Sequence, residues 1–146
     1  MLPHKANNFS ITELAHPKII KDIGEMNTWR RLHEDALIDL DLIRDLWYDK
    51  NQSGIYCNRI DLGIDSRGLR PPDDPDGSFY SGHKQGHTFD LEPVVGTHSD
   101  LYFFIKELMV NGKFLMFNTM EDRMFTPTWT HVGYLNHGDN FLIISP

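Results

Sequence analysis

The 146-residue chain carries one cysteine, Cys57, and so cannot build an internal disulfide framework. It has no CxxC pair, no glycine-rich loop that could cradle a phosphate and no basic run. No apolar stretch reaches the roughly 20 residues that span a bilayer, so no membrane partner is expected. The opening Met1-Leu2-Pro3-His4-Lys5-Ala6-Asn7-Asn8 lacks the apolar core of a secretory leader, and a protein cytoplasmic as synthesised is the expectation. Lysine and arginine total 14 against 21 aspartates and glutamates, a net charge of −7. Nucleic-acid binders show a basic face, and none is visible here. The same acidity gives no electrostatic help in approaching anionic wall polymers.

What is present fits one soluble globular domain over residues 1–146, with 40% hydrophobic and 24% charged residues and length enough for a core. Ser10 followed by Glu13 reads as a capping box. From Trp29 to Tyr48, Leu32, Ala36, Leu40, Ile43 and Trp47 recur at three- and four-residue steps. That spacing predicts one amphipathic helix whose charged residues form a solvated face. His33-Glu34-Asp35-Ala36-Leu37 begins like the HExxH zinc helix but ends in Leu, and reads as helix surface. A strand-like run covers 55–64, with Cys57 as inert packing. Ser99 is placed to cap a helix over 100–110, ended by Asn111-Gly112. Further strands are expected at 113–118, 129–135 and 140–145. Asp73-Asp74-Pro75-Asp76-Gly77 lacks the spacing and closing Glu of a calcium loop and reads as a solvated turn.

The chemistry concentrates in Ser81-Gly82-His83-Lys84-Gln85-Gly86-His87-Thr88-Phe89-Asp90, answered by Trp129-Thr130-His131. Two neutral imidazoles and a carboxylate are a common donor set for catalytic zinc, leaving a fourth position for water. His83 and Asp90 lie too far apart for one helical turn or adjacent strand positions, so the segment must bend, and Gly86 can supply the bend. In a strand over 129–135, Trp129, His131 and Gly133 share one face, and Thr130, Val132 and Tyr134 the other. His87, four residues after His83, could replace a ligand if the segment were helical. The Gly86 bend argues against that arrangement.

The spacing SxHxxGxxxD followed by WxH resembles the LAS group of zinc peptidases (lysostaphin-type enzymes, D-Ala-D-Ala peptidases and the hedgehog signalling domain), in particular its phage-type branch. The resemblance implies zinc held by His83, Asp90 and His131. It also implies a hedgehog- or DD-peptidase-like α+β fold, a small, mainly antiparallel sheet with flanking helices. Asp39-Leu40-Asp41-Leu42-Ile43-Arg44 is similar to a helix that precedes the metal strands in phage members, without its proline. Ser66-Arg67-Gly68-Leu69-Arg70-Pro71-Pro72 resembles the "S-G-Y-R-S-P" element of the same enzymes. On that register Arg70 takes the place of the substrate-binding arginine, although Arg67 could equally fill the role. A planar guanidinium suits a peptide carboxylate or carbonyl oxygen.

One position departs from the pattern. Many LAS enzymes carry a carboxylate base three residues before the last His, where this chain has Thr128. Glu121, in a region expected to be a loop over 119–127, is the closest counterpart of the upstream Glu of some phage relatives, with His87 and His137 as weaker substitutes. The resemblance therefore implies a zinc peptidase acting on peptidoglycan stem peptides, endolysin-like, released to the periplasm or cell wall during phage lysis. The competing expectation is a zinc-bearing binding or phage structural module without catalysis.

Overall fold

The computed structural model describes residues 1–76, 81–137 and 141–145. The expected strand start at Asn140 and the end of the turn at Gly77 lie outside the described residues. The chain is α+β. Helices α1 (Ile11–Leu14), α2 (Pro17–Ile23), α3 (Glu25–Arg31) and α4 (Glu34–Asn51) come first. Strand β1 (Ile55–Tyr56), a short 3-10 turn, helix α5 (Gly82–Gln85) and strand β2 (Thr88–Pro93) follow. Helix α6 (His98–Val110) and strands β3 (Thr119–Glu121), β4 (Thr130–Gly133) and β5 (Leu142–Ile144) complete the described elements. The strands form one sheet in the order β1-β2-β4-β3-β5, antiparallel except where β5 runs parallel to β3. Among the described residues no helix is long and apolar enough to cross a membrane.

The capping box is visible at the start of α1, where the Ser10 N–H donates to Glu13 Oε2 at 2.7 Å. The apolar stripe is also where its spacing places it, with Leu32, Ala36, Leu40, Ile43 and Trp47 all buried. The single helix expected over 29–48 is, however, two helices. Leu32 and His33 are extended, and the His33 N–H donates to the Gly86 carbonyl instead of an i−4 partner. His33 Nδ1 then accepts the Asp35 N–H and starts α4. Nor are all the charges of α4 solvated, since Asp39 and Asp41 are buried. Asp41 accepts the N–H groups of Asn7 and Asn8. Asp39 accepts those of Leu115, Met116 and Phe117 at 2.7–2.9 Å.

That last contact explains a second correction. Residues 113–118 have the apolar content of a strand, but the N–H groups of Leu115, Met116 and Phe117 are taken by a side chain on α4, and the segment stays irregular. Conversely, 119–121 is strand where a loop was expected. The run 55–64 is strand for only two residues, after which Arg59 and Ile64 pair across the 3-10 turn. Thr97, not Ser99, caps α6, its Oγ1 accepting the Asp100 N–H at 3.0 Å.

One face of the sheet is core. Phe89 and Leu91 of β2, Met120 of β3 and Val132 of β4 are fully buried together with Leu101 and Ile105 of α6 and Leu40 and Trp47 of α4. Removing each such side chain from water is worth roughly 1.5–3 kcal/mol. The alternation of β2, β3 and β4 then sends Thr88, Asp90, Thr119, Glu121, His131 and Gly133 to the opposite face. The site lies there.

Candidate metal centre

His83 reaches the sheet from α5, a single turn that cannot continue. Gly86 ends it with φ +79°, in the left-handed region, and a Cβ there would stand 2.0 Å from the Arg31 carbonyl oxygen. The segment is thus helical at His83, and the helix stops before His87. The His87 ring instead meets Tyr134 edge-on at 5.5 Å, and burial holds its pKa below the ordinary imidazole value. It is not part of the donor group formed by the other two histidines.

Asp90 and His131 are direct cross-strand partners on β2 and β4, on the face opposite the core. His131 Nδ1 lies 2.7 Å from Asp90 Oδ1, and His83 Nε2 lies 3.4 Å from Asp90 Oδ2. The two imidazoles stand 5.2 Å apart, centre to centre. One ligand atom from each of His83, Asp90 and His131 falls within 4.8 Å of the others. The group is therefore close enough to hold a single metal ion.

The surroundings suit such an ion. His83 Nδ1 is 3.0 Å from the Gly68 carbonyl oxygen, which can accept only if Nδ1 carries the proton. That leaves the Nε2 lone pair facing Asp90, the arrangement in which an outer partner fixes a metal ligand's tautomer. Gly68 can pass this close because it lacks a side chain, since a Cβ would meet the Leu14 backbone oxygen at 2.0 Å. Burial by itself would raise the Asp90 carboxyl, but the His131 imidazole at 2.7 Å and the His83 imidazole beside it outweigh burial and hold the group ionised far below its ordinary range. A buried carboxylate and two imidazoles form a donor set that suits zinc and other borderline divalent ions.

The two other residues singled out in the sequence flank this cluster on different sides. Arg70 Nη2 is 3.6 Å from Asp90 Oδ2, and its Nε donates to the Ser66 carbonyl at 2.7 Å. Arg67 is turned elsewhere, with Nη1 3.1 Å from Glu92 Oε1. Both arginines line a cavity of about 320 Å³ that also touches Asp90 and Trp129. Glu121, on β3, places Oε1 3.7 Å from His131 Nε2. It lines a second cavity, of about 470 Å³, walled by Tyr134, Leu135 and Ile144 and bordered by His131. The cluster thus has a polar recess on one side, where Arg67 and Arg70 line the wall together with Asp65 and Asp90, and a largely apolar one with a single carboxylate on the other. His137 is away from the donors, its Nε2 3.4 Å from Thr119 Oγ1.

The Gly68 carbonyl is the functional group that the sequence did not disclose. A backbone oxygen has no signature beyond the glycine that lets it approach. Asp74 and Lys84 are similar, since the Lys84 ammonium donates to the Asp74 carbonyl at 2.8 Å and ties the loop after Pro71 to α5. No protein-family model matches the chain, and no curated protein and no solved structure matches it.

Proposed function

We propose that the protein is a zinc-dependent peptidase that cleaves stem peptides of bacterial peptidoglycan, in the manner of the phage-type LAS enzymes its motifs resemble. One observation carries the proposal: His83, Asp90 and His131 converge between a recess holding Arg70 and a recess holding Glu121. A merely structural zinc site is normally closed by four protein ligands. Here the described donors number three.

His83, Asp90 and His131 would hold the ion. When bound, zinc supplies Lewis acidity for a peptide carbonyl and lowers the pKa of a coordinated water. Arg70 serves as the substrate clamp. Its guanidinium is steadied by the Ser66 carbonyl and faces the recess, where it can donate to a peptide carboxylate or carbonyl oxygen. Glu121 is the proton acceptor. It is the carboxylate on the other side of the cluster, it lines the larger cavity, and it stands in for the base missing at Thr128. The apolar wall of Tyr134, Leu135 and Ile144 excludes water from one flank of a bound peptide. Free stem peptides carry carboxylates that Arg70 can pair with, which offsets the poor electrostatic match between a chain of charge −7 and an anionic wall.

Thr128 also favours a second reading, a zinc-bearing binding or phage structural module without turnover. Digestion of purified peptidoglycan separates the two. Release of stem-peptide fragments, abolished by a chelator and restored by zinc, is the expected result. Zinc-loaded protein that releases nothing at any pH leaves the module reading.

A further inference from the structure

Asp90, His131 and Glu121 lie in one row across three neighbouring strands. Asp90 pairs with His131 between β2 and β4. Between β3 and β4, Thr119 pairs with Gly133 and Met120 with Val132, so the next step of that register sets Glu121 opposite His131. All three side chains leave the sheet on the same face. The imidazole of His131 is consequently flanked on both sides, with Nδ1 toward Asp90 at 2.7 Å and Nε2 toward Glu121 at 3.7 Å.

From this row we infer that Glu121 is a positioning residue for His131, fixing the tautomer in which Nε2 bears the proton and Nδ1 offers its lone pair beside Asp90. The inference rests on the reading of His83, Asp90 and His131 as metal ligands. His83 shows the same logic with the nitrogens exchanged. Its Nδ1 is held by the Gly68 carbonyl, and its Nε2 faces Asp90. Each imidazole thus has an outer partner on the nitrogen turned away from Asp90, a backbone oxygen for one and a carboxylate for the other. Such partners set ring orientation and raise ligand basicity.

At 3.7 Å the Glu121 contact is longer than a hydrogen bond. The reason lies on the other side of the ring. Nδ1 and Oδ1 are drawn together to 2.7 Å, a hydrogen bond in which Nδ1 holds the proton, and that proton gives way when Nδ1 turns its lone pair to a metal ion. Two donors sharing one zinc ion, at bond lengths of about 2.0–2.1 Å, stand roughly 3.3 Å apart. Opening that pair moves the imidazole away from Asp90, and in this row away from Asp90 is toward Glu121. The gap on the Nε2 side closes as the gap on the Nδ1 side opens. Glu121 has two oxygens, so orienting His131 through one leaves the other for the proton-accepting role.

The two roles come apart by substitution. Glutamine keeps an oxygen that accepts from Nε2–H but has no basicity, whereas alanine removes both. Zinc affinity is measured by competition with a chromophoric chelator, and the cobalt-substituted protein reports ligand geometry through its visible absorption. Glu121→Ala is expected to bind zinc about 10- to 100-fold more weakly and to shift the cobalt spectrum. Glu121→Gln should stay within a few-fold of wild type with an unchanged spectrum. Asp122→Asn, whose carboxylate serves only the Met124 N–H among the described contacts, should match wild type in both. Wild-type affinity in Glu121→Ala overturns the inference while leaving the metal centre intact. So does a Glu121→Gln affinity as weak as that of Glu121→Ala. Wild type that binds no zinc overturns the metal reading itself, and the inference with it.

Discussion

Asp39 in the helical region and Asp90 in the sheet are both aspartates on regular elements, with relative exposures of 1% and 6%. Their partners differ completely. Asp39 receives three backbone N–H groups from residues 115–117, and no imidazole or guanidinium contacts it among the described contacts. Burial pushes its carboxyl above the ordinary value, and the three N–H bonds pull it only part of the way back. Asp90 receives two imidazoles and approaches a guanidinium, and it is held far below the ordinary value despite burial. A buried carboxylate satisfied by backbone donors staples two segments together. One surrounded by side chains that can themselves ligate or carry charge prepares a site. What separates a structural aspartate from a functional one is who faces it, not how deeply it lies.

Glu121 carries the comparison to a third carboxylate, on the open side of the cluster. Loss of a general base costs about a hundred- to ten-thousand-fold in rate. Glu121→Gln is expected to lose turnover on peptidoglycan by that factor while retaining zinc and fold, and Asp122→Asn to change little. Full activity in Glu121→Gln would move the base elsewhere, with His87 the next candidate.

The staple should break differently. Asp39→Ala orphans three N–H groups, and the expected loss is roughly 3 kcal/mol of unfolding free energy, read from denaturant midpoints. The folded fraction of that variant should still bind one zinc. Loss of metal from well-folded Asp39→Ala protein would erase the distinction between the two aspartates.

The smallest effect is the pH dependence of the metal-free protein, where the two carboxylates act with opposite sign. The folded-state value for Asp90 lies below its ordinary 3.8, so its contribution is complete above that pH and fades as pH falls through the folded value. The value for Asp39 lies above 3.8, so its contribution is complete below that pH and is lost as pH rises through the folded value. Between about pH 6 and about pH 3, Asp90→Asn should lose less stability than wild type and Asp39→Asn more. Equal slopes in all three proteins would contradict the assignment.

The legibility of this chain divides along the same line. Local patterns were readable: the Ser10–Glu13 cap, the buried stripe from Leu32 to Trp47, and the alternation that turns His131 away from Val132. The spacing from His83 to Asp90 and on to His131 also pointed to residues that the fold brings together. Contacts between distant segments were not readable. Nothing near 113–118 announces that Asp39, 76 residues or more away, will take the N–H groups of Leu115, Met116 and Phe117 and keep the segment from forming a strand. The break at Leu32–His33 has no Gly or Pro to mark it, because its cause is the Gly86 carbonyl across the fold. In the sequence Glu121 reads as a loop residue, because a three-residue strand is too short to show alternation. Its place in the sheet comes from the pairing of β3 with β4 and β5.

The most direct test is the zinc content of the purified protein and of its His83→Ala, Asp90→Ala and His131→Ala variants, measured by elemental analysis at equal protein concentration. The expected result is one zinc per wild-type chain, removable by chelator or by acid as protons compete for the ligands, and almost none in each of the three variants. Equal zinc in wild type and variants, or none in any of them, would contradict it.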